Sequence, residues 1–454
     1  MSRPPSLSSS ASVDRRRLWR DWEVLCRDIG ERRAGTPEER RGAAFVARRL
    51  AASGLDAVEV LDFPCLSHRS SRVDLAAHER GRWRPAEARI LAGAPGCAAG
   101  ERELVWLEMP EESARLAPGS LRGRVAVVFG PLPTSARDHR RLVAAAPDAV
   151  IHVDERLPFS WTKSDGVYPE WVRRYGMPTT VAMAYLDAWR WRMAGVNRVR
   201  LAATVQLEPA LSPTVSALLP GRDPTLPEIL VLAHHDTPAG NVGADDNASG
   251  VVALLEIARL LARRGRRLRR GVRFLSFGAE EQLSVGAAAY VRAHLEDRTR
   301  WGLVVNLDSV ASPLGHWEMY SVGGRALARH AQATLARHGL SVAPKPEVTP
   351  FGDIFPFNWA GVPSLWFFRT NTPGARWQHH SPSDSLENVS VEAVARLVGA
   401  LVPMVGDLAE AARWPFGESL PMVQRRTIAR LGQELFGLPR RGPRAGGGAG
   451  RRSS

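Results

Sequence analysis

The stretch EILVLAHHDTPAGNVGADDNASGVVALLEIARLLA, residues 228–262, determines the fold class of this chain. It begins with an apolar run, Glu228 to Ala233, that predicts a buried strand, and it ends in a helical pattern from Ala248 to Ala262. The alternation continues with predicted strands at 272–277, 302–307 and 364–369 and predicted helices at 287–295, 325–338 and 390–408. Such alternation favours right-handed crossovers, so we predict an α/β fold: a three-layer sandwich around a mostly parallel central sheet.

The sequence before this region has a different texture. Thr36 to Glu39 form a capping box with proline at the first helical position, and the helix that follows should end at Gly54. A strand is expected at 57–63, and short strand candidates then appear at 124–129, 149–153, 179–183 and 201–207. We therefore predict an inserted, mostly β domain and divide the chain as follows: a disordered N-terminus (1–15), a core domain (16–64 and 220–412), the insert (65–219) and a basic, disordered tail (413–454).

The net charge of the 454-residue chain is +14, from 61 Lys+Arg against 47 Asp+Glu. The excess lies in two stretches: residues 259–273 hold eight arginines and no acid, and residues 413–454 hold nine arginines and two glutamates. We interpret the first as a solvated helix end, which suits the helix dipole, and the second as a loose tail. Contact with nucleic acid or a membrane surface is the alternative interpretation.

Composition excludes several classes of protein. An apolar fraction of 44% excludes wholesale disorder, and the apolar run at 397–405 is too short for a membrane span and contains Pro403. Cys26, Cys65 and Cys97 have the spacing of neither a disulfide framework nor a zinc site. Without an apolar leader at the N-terminus we expect a cytoplasmic protein, or a secreted one if the start site is misassigned.

Acids and imidazoles follow the predicted strands of the core domain. They occur in His234-His235-Asp236, in Asp245-Asp246, in Glu280-Glu281, at Asp308 and in the loop His379 to Asp384. Ligands of open α/β sheets bind at the carboxyl ends of the strands, so these side chains should meet in one crevice. Carboxylates so crowded would destabilise the fold unless a cation were present. Imidazole with carboxylate suits zinc, with manganese or cobalt as chemical substitutes, and a carboxylate can bridge two such ions.

The motifs AHHDT, GADDNASG, FGAEE, NLDS and HHSPSD together resemble metallopeptidase family twenty-eight, the co-catalytic zinc peptidases. That family includes bacterial leucyl-type aminopeptidases, aminopeptidase Y and the glutamate carboxypeptidase group. The resemblance covers the Thr36 helix and roughly residues 220–408, and it implies the zinc exopeptidase fold with two Zn²⁺ per chain. The insert is similar to the protease-associated domain that many members carry.

The resemblance also implies a role for each matching residue. His234 and Asp308 would bind one zinc and Glu281 and His380 the other, with Asp245 bridging both. Glu280 would be the general base and then the acid that protonates the leaving amine. Three further acids match less directly. Asp236 would orient His234 or its surroundings, and Asp384 would contact the ligand residues without binding the metal itself. Asp353 lies in FGDIFPF, where the family usually has Ser-Asp-His.

The resemblance implies a peptide substrate, with neither nucleic acid nor membrane as a partner. We favour an aminopeptidase. A carboxypeptidase or dipeptidase is the alternative because Arg369 and Arg376 flank the last ligand loop and would bind a substrate carboxylate. Glutaminyl cyclisation and a non-catalytic scaffold are further alternatives. Several neighbours of the site have more than one interpretation. His235 and His379 either pack or face substrate, with contact to the metal as a further alternative. The aromatic residues either belong to the core or line a pocket: Trp366, Phe368 and Trp377.

Overall fold

The computed structural model describes residues 12–108, 111–129, 135–153, 168–264, 268–371, 377–417 and 419–439. Arg376, most of the predicted N-terminal tail and the last fifteen residues of the predicted C-terminal tail lie outside these ranges.

The described residues form helices and strands in an alternating order. The helices are α1 (Arg15–Glu23), α2 (Pro37–Ala52), α3 (Ala136–Ala145), α4 (Pro169–Tyr175), α5 (Tyr185–Met193), α6 (Gly250–Ala262), α7 (Val285–Ala293), α8 (Arg325–Arg337), α9 (Ile354–Trp359), α10 (Val391–Glu410) and α11 (Met422–Phe436). The strands are β1 (Asp56–Glu79), β2 (Arg82–Ala86), β3 (Arg89–Ile90), β4 (Cys97–Glu108), β5 (Arg124–Phe129), β6 (Ala149–Val153), β7 (Thr179–Met183), β8 (Arg198–Leu219), β9 (Glu228–His234), β10 (Val272–Phe277), β11 (Trp301–Leu307), β12 (His316–Val322), β13 (Val342–Lys345) and β14 (Ser364–Thr370).

The strands join into one sheet, in the order β13-β12-β14-β11-β9-β10-β8-β4-β5-β6-β7-β3, with β1 and β2 attached through β8. In the core half, β9 is parallel to both β10 and β11, and β11 is parallel to β14. The carboxyl ends of these four strands therefore open on the same edge. The predicted α/β fold with a central, mostly parallel sheet is confirmed.

Helices cover both faces of the core half of the sheet. On one face α1, α2, α6, α8 and α10 pack with the sheet into the largest apolar cluster, where Leu254 and Leu401 are completely buried. On the other face α7 and α9 pack against strand residues such as Leu232 and Phe277. Burying a large aliphatic or aromatic side chain contributes about 1.5–3 kcal/mol. The two clusters therefore stabilise the sheet and fix the positions of its strand ends.

The predicted insert contains more helix than its sequence indicated. Strands β4 to β7 run parallel to one another, and the helices α3, α4 and α5 lie between or after them. The strand predicted at 57–63 extends to Glu79, because β1 pairs with β8 in a long antiparallel ladder that reaches from Asp56 to Ala77. This ribbon crosses the predicted boundary at residue 65 without a break.

Arginines of the stretch 259–273 take part in the fold. Arg259 pairs with Glu256 at 2.5 Å on the same helix, and Arg273 pairs with Glu228 at 2.7 Å across neighbouring strands. The guanidinium of Arg270 lies 4.3 Å from the ring centre of Trp414. The stretch is therefore more than the solvated helix end that we expected.

Both predicted tails are shorter than expected within the described residues. Asp14 caps α1 by accepting a hydrogen bond from the backbone N–H of Arg17, so the ordered chain begins before residue 16. The predicted C-terminal tail contains α11, whose Ile428 and Leu435 are buried and whose Phe436 stacks on Phe355 at 4.9 Å. The prediction of disorder for 413–454 is thus wrong over this helix, because its apolar residues find a partner surface. Across the described ranges, no helix is long and apolar enough to cross a membrane.

Candidate metal centre

Four strands of the core half deliver acids and imidazoles to the same edge of the sheet. His234 is the last residue of β9, Glu280 and Glu281 follow β10, and Asp308 follows β11. His380 lies in the loop after β14. His234 and Asp308 are buried, with 1% and 6% of their surface exposed. The sheet therefore brings together these five residues as the strand-end argument predicted.

The side chains form three overlapping groups, and the potential ligand atoms of each group lie within 4.8 Å of one another. They are His234 with Asp246 and Asp308, His234 with Glu280 and Glu281, and Asp246 with His379 and His380. Nε2 of His234 lies 3.7 Å from Oδ1 of Asp308, and Nε2 of His380 lies 3.0 Å from Oε2 of Glu281. Overlapping groups of this kind can hold two neighbouring cations.

Asp246, and not the predicted Asp245, is the carboxylate between the two histidines. Its Oδ1 lies 3.2 Å from Nε2 of His234, and its Oδ2 lies 3.7 Å from Nε2 of His380. The Asp245 side chain instead accepts a hydrogen bond from the backbone N–H of Ala311 at 2.7 Å and one from Nε2 of Gln378 at 2.9 Å. Our assignment of Asp245 as the bridging ligand therefore disagrees with the geometry, since its carboxylate is oriented away from the histidines.

The loop that carries Asp246 is held by two polar side chains. The carboxylate of Asp384 accepts hydrogen bonds from the backbone N–H groups of Asp245 and Asp246, at 2.5 and 3.0 Å, which is the supporting position that we predicted for it. Asn247, which our sequence reasoning missed, donates to the carbonyl of Leu307 and accepts from the N–H of Gly250. An asparagine directly after the paired acids was the available signal.

Asp236 supports the turn that carries Glu280 and Glu281. Its two carboxylate oxygens accept the backbone N–H groups of Glu280 and Glu281 at 3.0 and 3.1 Å. Its Oδ1 also lies 3.4 Å from Nδ1 of His234. This one carboxylate thus links the end of β9 to the turn after β10, in addition to approaching the imidazole as we predicted.

Glu280 faces the same space as the ligand candidates. Its Oε2 lies 3.9 Å from Nε2 of His234, and its Oε1 accepts a hydrogen bond from the Ser284 hydroxyl at 3.1 Å. Burial raises its pKa well above the usual value, and the charges of Asp353 and Glu281 add to that rise against the lowering effect of His234. Burial likewise raises the pKa of Glu281 to about 7.

The donor set fits divalent zinc. It consists of imidazole nitrogens and carboxylate oxygens, which are the ligands that zinc takes in catalytic sites. Among the described residues, both ring nitrogens of His234 and Oε1 of Glu281 are buried without a hydrogen-bond partner. Buried polar atoms are rarely left unpaired, so these atoms are available to a metal ion.

The two histidines adjacent to ligand candidates differ from each other. His235 is fully buried with its Nδ1 3.0 Å from the Ser276 hydroxyl, and burial lowers its pKa to about 3, so it is a neutral packing residue. His379 lies at the centre, with Nδ1 2.8 Å from Oδ2 of Asp246. This contact with a candidate ligand fits the third interpretation, contact with the metal, better than packing or substrate contact.

Most of the residues that we suggested for substrate recognition make contacts within the fold. Trp366 and Phe368 are each 8% exposed and stack on Tyr320, with ring centres 5.1 and 5.3 Å apart, which favours a core role. The Arg369 side chain donates to the carbonyl of Ser312 at 2.7 Å and lies over the ring of Trp317 at 5.2 Å.

Sequence comparison identifies the core half of the chain. The profile of peptidase family M28 matches residues 214–404. These residues, less than half of the chain, match an M28 peptidase domain. Among curated proteins, the chain is 30% identical over 200 residues to aminopeptidase YwaD of Bacillus subtilis, covering 40% of each chain. It is 26% identical over 217 residues to leupeptin-inactivating enzyme 1 of Streptomyces exfoliatus, covering 44% of this chain and 49% of that protein. The chain thus matches less than half the length of these curated relatives.

Solved structures show that the M28 domain and the rest of the chain share a known fold. The zinc aminopeptidase BSAP of Bacillus subtilis has a TM-score of 0.71 at 19% identity, covering 92% of this chain and all of that chain. The aminopeptidase of Aneurinibacillus sp. strain AM-1 has a TM-score of 0.67 at 21% identity, covering 91% and 97%. An M28 peptidase precursor from Shewanella amazonensis has a TM-score of 0.76 at 16% identity, covering 89% and 95%. The overall fold therefore recurs in these proteins.

Proposed function

We propose that this protein is a zinc-dependent aminopeptidase that removes residues from the N-terminus of peptides. The observation that carries the proposal is the convergence of His234, Asp246, Glu281, Asp308 and His380 around one buried space that Glu280 also faces. Its M28 domain and its likeness to zinc aminopeptidases support the same activity. Within this proposal, His234 and Asp308 would hold one zinc and Glu281 and His380 the other, and Asp246 would take the shared position that we first gave to Asp245.

Zinc in such a pair supplies an acidified water and polarises the scissile carbonyl. A protein group has to carry a proton from this water to the leaving nitrogen, and we assign that role to Glu280. Its carboxylate is oriented by the Ser284 hydroxyl at 3.1 Å, and its backbone is fixed by Asp236. A buried carboxyl group with a raised pKa can take the proton from water and hold it until the leaving nitrogen needs it.

The charges around the centre favour recognition of a substrate amine. Asp353 is 1% exposed, and neither of its carboxylate oxygens has a hydrogen-bond partner among the described residues. Burial and the neighbouring acids raise its pKa, and a substrate ammonium group would compensate its charge. Arg369, the described cation that we considered for a C-terminal carboxylate, donates its Nε–H to Ser312 and lies over the Trp317 ring. These contacts support an aminopeptidase over a carboxypeptidase.

Glu280→Gln tests the proposal. We expect the variant to bind zinc like the wild type while turnover falls about 10²–10⁴-fold, the usual contribution of general acid–base catalysis. Metal content by mass spectrometry and hydrolysis of leucyl anilides with and without a blocked amine give the two readouts. Glu296→Gln, on the exposed surface, is the matched control. Unchanged turnover in Glu280→Gln, or equal hydrolysis of the blocked anilide, would contradict the proposal, and a wild type without zinc affinity would favour the scaffold.

A further inference from the structure

The turn that carries Glu280 has an unfavourable backbone. Ala279, Leu283 and Ser284 all have positive φ, at 50°, 69° and 53°, although none of them is glycine. A residue in such a conformation is strained and persists only where the surroundings impose it. Asp236 holds the N–H groups of Glu280 and Glu281, but it does not contact the residue before them through a described hydrogen bond. Another group must therefore hold the start of the turn.

Glu39 of α2 holds that start. Its Oε1 accepts the backbone N–H of Ala279 at 3.1 Å and the hydroxyl of Ser212 at 2.7 Å. Its Oε2 accepts the backbone N–H of Gly35 at 2.7 Å. The side chain is completely buried, so all three bonds are shielded from water.

The backbone of the turn packs closely against this carboxylate. A Cβ atom at Gly278 would collide with both Glu39 and Ser212, so the backbone before Ala279 lies directly against the carboxylate. Glu39 is also the third helical residue of α2, and its N–H donates to the capping hydroxyl of Thr36 at 3.2 Å. In an ordinary capping box the glutamate turns back to the helix start, whereas here it also reaches into a different part of the fold.

The β1–β8 ribbon contacts both ends of the same turn. Ser212 belongs to β8 and reaches the start of the turn through Glu39, while the side-chain amide of Gln282 donates to the carbonyl of Leu66 in β1. Since Ser212 and Leu66 lie on paired strands, the ribbon is one rigid support for the turn.

We propose that Glu39 is a positioning residue for catalysis, which connects the Glu280 turn to the β1–β8 ribbon and so fixes the general base relative to the metal ligands. The inference rests on the role of Glu280 in the proposed function. Burial raises the pKa of Glu39 to about 8, and in either protonation state its two oxygens can accept the two backbone N–H groups. An amide has only one acceptor oxygen, so a glutamine here would leave Ala279 or Gly35 facing an NH₂ group.

Glu39→Gln is the test variant, and Glu38→Gln, one residue earlier on α2, is its matched control. We expect kcat of Glu39→Gln to fall about 10–100-fold with KM and zinc content nearly unchanged, as for other residues that position a catalytic group. In the Glu280→Gln background the same change should lower the residual rate less than about threefold, because the two residues act as a unit. A full further 10–100-fold loss in that background would overturn the proposal.

Hydrogen–deuterium exchange of the metal-free protein gives a readout that needs no activity. The amides of a peptide spanning 275–285 should exchange faster in Glu39→Gln than in the wild type or in Glu38→Gln. Unchanged exchange would refute the positioning role even if turnover fell, while faster exchange in a protein without any peptidase activity would refute only the proposed function. If Glu39→Gln does not fold, Ser212→Ala, which removes one of the three bonds, should give the same changes at a smaller size. A Ser212→Ala protein identical to the wild type would then overturn the proposal.

Discussion

Substituting the two neighbouring aspartates one at a time distinguishes a ligand from its support. In Asp246→Asn the centre loses the carboxylate that approaches both His234 and His380, at 3.2 and 3.7 Å. We expect fewer than the roughly two zinc equivalents that we propose for the wild type, and no measurable turnover. In Asp245→Asn the ligand candidates stay in place, and we expect the zinc content to be unchanged at saturating metal.

The cost of Asp245→Asn should appear in stability instead. Its carboxylate accepts one hydrogen bond from Ala311 and one from Gln378, at 2.7 and 2.9 Å. Asparagine keeps one acceptor oxygen, so one of these bonds to a charged group is lost, at about 1.5–3 kcal/mol. Urea unfolding of the metal-free proteins should show a decrease of that size in the free energy of unfolding.

The assay pairs metal analysis with unfolding for both variants. Each protein is dialysed against buffered free zinc, and bound metal is measured by plasma mass spectrometry. Loss of zinc in Asp245→Asn together with full retention in Asp246→Asn would refute the geometry and restore our original assignment. Equal zinc loss in both variants would refute the distinction between them.

Three further predictions concern the support of the centre, its charge and the C-terminal helix. Asp384→Asn should weaken zinc affinity about 10–100-fold in competition with a chelator, because Asp384 holds the loop of Asp246, and unchanged affinity would speak against that role. The pKa of Glu281 is raised to about 7, so the folded metal-free protein keeps a proton that the unfolded chain loses above about pH 4.5, and its stability should fall as pH rises between these values. Zinc replaces that proton, so the Tm difference between zinc-loaded and metal-free protein should grow from pH 5 to pH 7.5; a constant difference would contradict this. Deleting residues 419–454 should lower Tm without changing zinc content, because burial of Ile428 and Leu435 contributes about 1.5–3 kcal/mol each; an unchanged Tm would show that α11 does not stabilise the fold.

Strands that are buried on both faces were predictable from sequence almost to the residue. Four predicted strands have the same first and last residues as strands of the structure: 124–129, 149–153, 179–183 and 272–277. A continuous apolar run predicts a buried strand whichever strand it pairs with. The start of the predicted helix 390–408 was equally local, since the hydroxyl of Ser390 caps α10 by accepting the N–H of Ala393 at 3.2 Å.

Elements that depend on a distant partner were not predictable in this way. Beyond Phe63, β1 contains Pro64 and a polar stretch, and it is a strand because β8, more than a hundred residues later, pairs with it. Helix α11 similarly needs the surface that includes Phe355. Local propensity carries no information about such partners.

The residues of the candidate site also fall into a group that local sequence predicts and a group that depends on tertiary structure. Residues at strand ends were predicted because parallel strands share one edge, and this holds for His234 and Asp308. Choosing between Asp245 and Asp246 required the direction of each side chain, which the loop backbone decides: Asp246 has φ −110° and ψ 90°, outside the helical region. Glu39 carried only the signal of a helix cap, and its contact with Ala279 is set by tertiary packing.

The antiparallel ladder between β1 and β8 has a consequence for how such a chain can diversify. The polypeptide leaves the peptidase half and returns to it on neighbouring strands, with Ser67 opposite Glu208. Strands in a ladder lie about 4.8 Å apart, so whatever is spliced between them begins and ends at nearly the same point. Lengthening such a loop adds little entropic cost, about 0.6 kcal/mol per doubling. We therefore expect that the segment beyond this pair can change in length or be exchanged while the proposed metal centre at its base keeps its dimensions.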